Sequence, residues 1–262
     1  MPSGSDYDFI DYGLFKDFVL IESDGPPKKV YWKIEYVAKP QFGSTDSISF
    51  NSNIEVSLLS STEGAEIRYT LDGSEPNEYS TLYTKPININ KSTGIKIQSF
   101  KLDAVPSPVV QRNYYILDKE KNGLQYYYYE GNWMNIPEFN SLTEISKGRV
   151  YDFNLDNFER RDSKFAVEFS GYLKIEEKGE YNFYSISNDG SRLFIGDDIV
   201  VDNDGLHGNF ERQGNIILAP GLHPIKLQYF DGGGSHGLKV LYKGPGISRQ
   251  IIPMDKLMLR DK

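Results

Sequence analysis

The sequence contains no cysteine, no excess of positive charge and no long apolar run. Without cysteine the chain can form neither a disulfide scaffold nor a thiolate zinc site, and it has no cysteine nucleophile. Acidic residues outnumber basic ones by 37 to 29, so the formal net charge is −8 and there is no basic stripe to bind nucleic acid. No apolar run approaches the roughly 18 residues that a membrane span requires. We therefore expect neither nucleic-acid binding nor membrane insertion.

The first residues of the chain also lack the features of an export signal. Met1–Asp11 is polar and acidic, whereas a signal peptide has a positively charged region followed by an apolar one. The chain is then either cytoplasmic or a segment of a longer exported protein. The domains described below favour export, so we expect a periplasmic, cell-surface or extracellular location.

The pattern along the chain predicts an all-β protein with two β-sandwich domains in tandem. Glycine and proline recur at short intervals, and apolar and polar residues alternate between them, which is typical of half-buried strands. Aromatic residues make up 14% of the chain and suit the pleated faces of twisted sheets. Only residues 135–146 and 254–259 are expected to hold short helical turns.

Three parts follow from the spacing of these strands. Residues 1–39 contain two strand-like runs, Phe15–Glu22 and Val30–Val37, which are too short to close a core; we expect an N-terminal extension or the tail of an upstream domain. Residues 40–117 have the size of a small immunoglobulin-like sandwich, with a tight hairpin turn expected at Asp72-Gly73. Residues 118–262 form a larger sandwich, which begins in the charged stretch Asp118–Gly123.

Three polar, glycine-rich loops stand out in the third part: Ser187–Ser191, Asp202–Gly208 and Asp231–Gly237. Each strand crosses a sandwich once, so these loops are expected to meet at one end. Such a rim is either a binding site or a solvated loop cluster. The residues that we predict to bind a ligand there are Asp189, Asp202, Asp204, His207, Asp231 and His236. The alternative for the two histidines is that they connect loops to the backbone, and nearby Trp133 is either a stacking platform or buried.

The run Ile67–Pro76, together with Tyr83, Pro86-Ile87 and Ile95–Ile97, resembles the chitobiase/β-hexosaminidase C-terminal-type domain. This resemblance implies a small sandwich of the kind appended to secreted glycoside hydrolases, where it acts as a structural spacer.

The third part resembles the protective-antigen fourteen-kilodalton domain family over about 140 residues. The segments that carry the resemblance are Gly123–Gly131, Phe169–Leu173, Ser187–Ser191, Val201–Gly208 and Pro220–Pro224. The resemblance implies a β-sandwich of a type found in bacterial glycosidases, toxins and yeast adhesins.

The same resemblance implies a calcium site. In sugar-binding adhesin members, two adjacent aspartates joined by a cis peptide bond coordinate calcium, which in turn holds sugar hydroxyls. Asn188-Asp189 occupies that position and Asp231 stands where a second loop supplies a ligand, so the implied metal ligands are Asn188, Asp189 and Asp231. Asn188 replaces a carboxylate by an amide, which lowers the expected affinity for calcium. The alternative is that Asp189 accepts backbone N–H bonds and holds its loop in place.

Two motifs that look catalytic do not fit their structural context. Gly233–Gly237 matches G-x-S-x-G, and Gly232, Gly234 and Gly237 match G-x-G-x-x-G, but both motifs require a following helix. Here Leu238 begins another alternating strand instead. The carboxylate pairs Glu176-Glu177 and Asp197-Asp198 are better explained as solvated turns, because neighbouring strand residues point to opposite faces. We predict no catalytic residue.

These observations predict a non-catalytic carbohydrate-binding accessory region of a secreted bacterial glycoside hydrolase, β-hexosaminidase-like or related. Its partners would be a glycan and an upstream catalytic domain. The alternative is a pair of spacer domains with no ligand of their own.

Overall fold

The computed structural model describes residues 18–21, 28–31, 35–43, 47–50 and 52–259. Within them the regular structure consists of β-strands and three single 3₁₀ turns, which confirms the all-β prediction. The turns at Phe139–Ser141 and Met254–Lys256 lie inside the two predicted stretches, and the turn at Leu155–Asn157 was not predicted. In this part of the chain no helix has the length and apolar character to cross a membrane.

The chain divides into two compact units, residues 1–114 and 115–262. The strands that begin in the first unit are β1 Phe18–Ile21, β2 Lys28–Tyr31, β3 Glu35–Tyr36, β4 Gln41–Phe42, β5 Ile48–Phe50, β6 Ile54–Val56, β7 Leu58–Leu59, β8 Glu66–Thr70, β9 Thr81–Leu82, β10 Ile87–Ile89, β11 Thr93–Phe100, β12 Ala104–Val105 and β13 Val110–Leu117.

The first unit is organised around a five-stranded sheet in the order β5-β13-β11-β8-β9. The short pairs β4-β7 and β6-β10 each form a separate two-stranded sheet. Alternation along β11 buries Ile95 and Ile97 completely. Asp72-Gly73 does not form the predicted tight hairpin, because β8 and β9 are joined by ten residues; the Asp72 carboxylate instead accepts the Ser74 N–H at 3.0 Å inside that loop.

The N-terminal stretch is described only in part. The predicted strand Phe15–Glu22 is described at Phe18–Ile21 as β1, which pairs with β2. The predicted run Val30–Val37 overlaps β2 and β3. Residues 1–17, 22–27 and 32–34 lie outside the described residues. β3 pairs in parallel with β12 of the first unit. The role of residues 1–39 stays a prediction.

The second unit is larger. Its strands are β14 Leu124–Glu130, β15 Ser146–Val150, β16 Phe165–Ile175, β17 Gly179–Asn188, β18 Ser191–Ile195, β19 Asp198–Asn203, β20 Phe210–Leu218, β21 Gly221–Asp231, β22 Gly237–Gly244, β23 Ile247–Ile251 and β24 Leu257–Met258.

These strands form the two layers of a β-sandwich. One sheet has the order β15-β14-β16-β21-β18-β19, with β24 also paired to β16, and the other has the order β20-β17-β22-β23. Between them lies an aromatic core in which Phe165, Phe169, Phe183 and Tyr229 are fully buried. Burying each such side chain stabilises the fold by about 1.5–3 kcal/mol. This core sets the positions of the strand ends from which the site loops emerge.

The edge strands of the two sheets, β19 and β20, meet at Gly214. A Cβ atom added there would lie 1.7 Å from the carbonyl oxygen of Val200, so only glycine permits this approach. Phe210 and Arg212 share the strand face of Gly214, since side chains alternate along β20. The contact at Gly214 therefore brings the edge strands of the two sheets together on the face that carries Phe210 and Arg212.

A half-buried carboxyl in the second unit, Asp152, makes the unit's stability depend on pH. Burial raises the pKa of Asp152 above its usual value of 3.8, although Asn154 N–H and Asn157 Nδ2 donate to the carboxylate at 3.0 and 2.5 Å. The folded chain thus binds this proton more tightly than the unfolded chain does. The stabilising contribution is complete below pH 3.8 and is lost as pH rises through the folded-state pKa.

We therefore expect Asp152→Asn, whose amide oxygen can accept the same two hydrogen bonds, to lose less stability than the parent protein between about pH 4 and about pH 7. Urea unfolding at both pH values measures the difference. Asp197→Asn at an exposed turn is the control. An unchanged pH dependence in Asp152→Asn would contradict this explanation.

Candidate functional site

The three glycine-rich loops meet at one rim of the second unit, and the Asp189 carboxylate joins them. Its Oδ1 accepts the His207 N–H at 2.9 Å and its Oδ2 accepts the Gly232 N–H at 2.9 Å, so each of the other two loops donates to it. The side chain is buried, with 6% of the residue exposed. The peptide bond between Asn188 and Asp189 is cis.

Two glycines permit this close approach of the loops. A Cβ at Gly190 would lie 2.4 Å from the Phe230 ring and 3.0 Å from the Gly205 nitrogen. A Cβ at Gly232 would lie 2.3 Å from Leu206 Cδ2. Side chains at either position would push the loops apart, which explains the glycine content of this rim.

Asp231, the last residue of β21, is fully buried beside this junction. Its Oδ1 accepts the Lys164 N–H at 2.8 Å, whereas its Oδ2 has no hydrogen-bond partner among the described residues. Burial and the nearby Asp189 carboxylate raise the pKa of Asp231, while the backbone amides of Lys164 and Gly233 act in the opposite direction. A buried carboxylate oxygen without a partner is costly, so this atom points to a missing proton or cation.

Asn188 completes the set of residues implied as metal ligands. Its Nδ2 donates to Ser235 Oγ at 3.1 Å, and its backbone carbonyl accepts the Tyr229 hydroxyl. The amide Oδ1 accepts no hydrogen bond within the described part of the chain, and so it is available to a ligand.

The donor chemistry of Asn188, Asp189 and Asp231 fits calcium. Across the described residues there is no group of three or more histidine, aspartate or glutamate side chains that forms a metal site. Asn188, Asp189 and Asp231 instead offer two carboxylates and one amide oxygen, and the backbone after Asp231 turns at Gly233 and Gly234 with φ of 141° and 90°. Oxygen ligands of mixed charge from turning backbone are the ligands that calcium prefers.

His236 is held by an arginine. Its Nε2 lies 2.6 Å from Arg160 Nη2, and Arg160 also stacks over the Phe165 ring and pairs with Asp156. Because a guanidinium only donates, His236 Nε2 accepts and the neutral ring carries its proton on Nδ1. The contact shows His236 connecting this loop to a neighbouring segment.

His207 also makes local contacts. Its Nδ1 lies 2.8 Å from the Gly208 carbonyl oxygen and its Nε2 lies 3.0 Å from the Asn203 carbonyl oxygen. Each ring nitrogen thus faces a backbone carbonyl of its own loop, and a neutral imidazole donates to one of the two.

Asp202 and Asp204 face another part of the rim. Both pair with Arg192 Nη2, at 3.1 and 3.4 Å, and Asp204 Oδ1 also accepts the Ile136 N–H at 2.6 Å. They line a cleft of about 490 Å³ together with Arg192, Asn203, His207, Phe210 and Arg212. Neither Asp231 nor His236 lines this cleft. The structure thus divides the six predicted ligand-binding residues between the Asp189–Asp231 junction and the cleft.

Several residues that position the site were not found from the sequence. Beneath Asn188 lies a buried polar network in which Ser191 Oγ contacts Ser185 Oγ at 2.6 Å and Ser187 Oγ at 2.8 Å, and Asn203 Nδ2 donates to Ser187 Oγ at 2.9 Å. Serines at the inward positions of β17 were the available signal. The sequence carries no such signal for Arg192, Phe210 and Arg212, because these residues come together only where the edge strands of the two sheets meet.

Trp133 is half-buried and packs against a small cluster of aromatic residues that includes Tyr129 and Phe230. Its ring also covers Gly131, where a Cβ would lie 2.3 Å from it. The packing role is thus seen directly.

Comparisons with known proteins match both parts of the chain. The model of the chitobiase/beta-hexosaminidase C-terminal domain matches residues 45–111, and that of the PA14 domain matches residues 120–256. This order confirms both family resemblances.

Relatives with longer chains share these regions. A beta-hexosaminidase from Porphyromonas gingivalis is 29% identical over 204 residues, which is 70% of this chain and 25% of that protein. Anti-sigma-I factor RsgI3 from Acetivibrio thermocellus is 27% identical over 145 residues, covering 53% of this chain and 22% of that protein. The chain spans about a quarter of the length of these relatives.

Among solved structures, a PA14 sugar-binding domain from an RTX adhesin aligns with a TM-score of 0.46 and 21% identity over 53% of this chain and 99% of that one. The PA14 match alone covers more than half of the 262 residues, at the positions that form the second sandwich and its loop rim. The chain therefore belongs to the PA14 domain family.

Proposed function

We propose that this chain is a non-catalytic, carbohydrate-binding accessory region of a larger exported bacterial glycan-degrading enzyme. We assign residues 40–117 to a spacer sandwich and residues 118–262 to the binding module. Three findings support the proposal: the PA14 family, the chitobiase/beta-hexosaminidase C-terminal match before it, and a beta-hexosaminidase relative of which the chain matches a quarter. The enzyme's catalytic domain and a glycan are the proposed partners.

The observation that carries the proposed site is the buried, unpartnered Oδ2 of Asp231 next to the Asp189 carboxylate. A calcium ion held by Asp231, Asp189 and the Asn188 amide oxygen would supply the missing positive charge. Bound calcium has coordination positions to spare for vicinal sugar hydroxyls, because it takes six to eight oxygen ligands. The chain's own residues would orient the ion.

A second candidate, a purely structural scaffold, is favoured by the contacts of Asp189. Both of its oxygens already accept backbone N–H groups, and these bonds hold the loops together without any ligand. The two candidates differ in their response to calcium.

Calcium titration of the full chain tests the proposal. At a calcium concentration about 100 times its dissociation constant, binding to the folded state should stabilise the second unit by about 2.7 kcal/mol, which raises Tm by roughly 5–10 °C. Asp231→Asn should abolish this rise, because it removes a charged ligand. Asp197→Asn, at an exposed turn, should retain it.

Glycan-array binding with and without a chelator supplies a second readout. We expect the parent chain to bind a set of glycans in calcium and to lose them with chelator or with Asp231→Asn. A Tm insensitive to calcium together with an array empty under both conditions would overturn the proposal in favour of the scaffold.

A further inference from the structure

The cleft lined by Arg192, Asp202, Asp204, His207, Phe210 and Arg212 is separate from the proposed calcium site. Its lining comes from β18, β19, β20 and the loop between β19 and β20. Its volume of about 490 Å³ falls in the range of about 300–1,000 Å³ typical of small-ligand pockets. It therefore has room for one or two sugar rings.

The acceptor groups of this cleft are largely in use. Asp204 Oδ1 accepts the N–H groups of Ile136 and Gly205, at 2.6 and 2.7 Å, and its Oδ2 faces Arg192. Asp202 faces Arg192 with one oxygen and accepts the Asp204 N–H, at 3.3 Å, with the other. A ligand that mainly donates hydrogen bonds would thus find few free acceptors.

The unused groups are donors and an aromatic surface. Arg212 is exposed and makes no ion pair within the described residues; its guanidinium lies 4.6 Å above the Phe210 ring. Arg192 Nε is buried without a hydrogen-bond partner. Phe210 is 45% exposed, so part of its ring is available to an apolar ligand surface. Stacking on Phe210 holds the planar guanidinium of Arg212 in place for two parallel hydrogen bonds.

From these contacts we infer that the cleft binds a carboxylate-bearing sugar, such as a hexuronate residue of an acidic glycan. The carboxylate pairs with Arg212, and the apolar face of the ring packs on Phe210. A carboxylate only accepts hydrogen bonds, which matches the free donors. This site requires no metal, so it stands whether or not calcium binds at Asp231.

Binding of digalacturonate and of its dimethyl ester to the full chain tests this inference. Titration calorimetry gives the affinities, and NMR shifts of the labelled protein locate the site. We expect the acid to bind at the cleft, and both the ester and the Arg212→Gln variant to weaken binding roughly tenfold or more, because a charge-assisted hydrogen bond is lost. Phe210→Ala should weaken the binding of the acid and of the ester by a similar factor.

Two controls separate this site from the other. Arg249→Gln removes an arginine that stacks on Tyr184 elsewhere in the same sheet and pairs with Glu211, and it should bind the acid as the parent does. Adding a chelator should also leave this binding unchanged, because no metal takes part in it. The inference is wrong if digalacturonate does not bind, if its ester binds equally well, if Arg212→Gln has no effect, or if the shifts lie outside the cleft.

Discussion

Replacing Asp189 by alanine should lower the Tm of the second unit by roughly 5–20 °C. The substitution removes the acceptor of the His207 and Gly232 N–H groups, both bonded at 2.9 Å in a buried position. Each buried donor left without a partner costs about 1–3 kcal/mol, so the sum is about 2–6 kcal/mol. Because these two bonds join the three loops, the rim should also lose its shape and with it any glycan binding.

Asp189→Asn distinguishes hydrogen bonding from simple packing. The asparagine amide keeps one acceptor oxygen, but its NH2 group, a donor, then faces a backbone N–H, which is also a donor. We therefore expect the Tm of Asp189→Asn to lie between those of Asp189→Ala and the parent. Asp197→Ala, at an exposed turn between β18 and β19, controls for the loss of an aspartate. Thermal unfolding of the four proteins gives the order. Equal Tm values for Asp189→Ala and Asp197→Ala would refute the joining role.

Gly214→Ala should be nearly as damaging, for a steric reason. The new Cβ would lie 1.7 Å from the Val200 carbonyl oxygen and 2.8 Å from its carbonyl carbon. Both are backbone atoms, so no side chain can rotate away and the edges of β19 and β20 must separate. Overpacking of this kind costs at least about 2–3 kcal/mol, or roughly 5–10 °C in Tm.

Gly237→Ala is the matched control, because Gly237 also lies in a strand but its Cβ would meet no atom within 4 Å. We expect its Tm to stay within a few degrees of the parent. Since Gly214 lies in the same strand as Phe210 and Arg212 of the cleft, Gly214→Ala should also weaken the binding of digalacturonate. If Gly214→Ala and Gly237→Ala unfold at the same temperature, β19 and β20 do not approach each other as closely as described.

Much of the fold was predictable because strands carry a local signal. The inward positions of β16, β17 and β21 recur at every second residue and are mostly apolar, apart from serines such as Ser185 and Ser187, and this alternation indicates strands between two layers. Motif order also identified both families. The prediction of a tight hairpin at Asp72-Gly73 was wrong, because ten residues separate β8 from its partner β9. The identity of the turn residues does not reveal how far away the partner strand lies.

For the site, the sequence by itself determined which polar and glycine-rich loops would occupy one rim, since strand count sets the end at which each loop emerges. Only the tertiary structure decided how those residues are divided between the buried junction and the cleft. Asp189 and Asp231 come together at a buried junction, whereas Asp202 and Asp204 turn towards Arg192 and a cleft with Phe210 and Arg212. That division depends on hydrogen bonds and ion pairs between residues of different strands and loops, and contacts between distant segments leave no periodic pattern in the sequence.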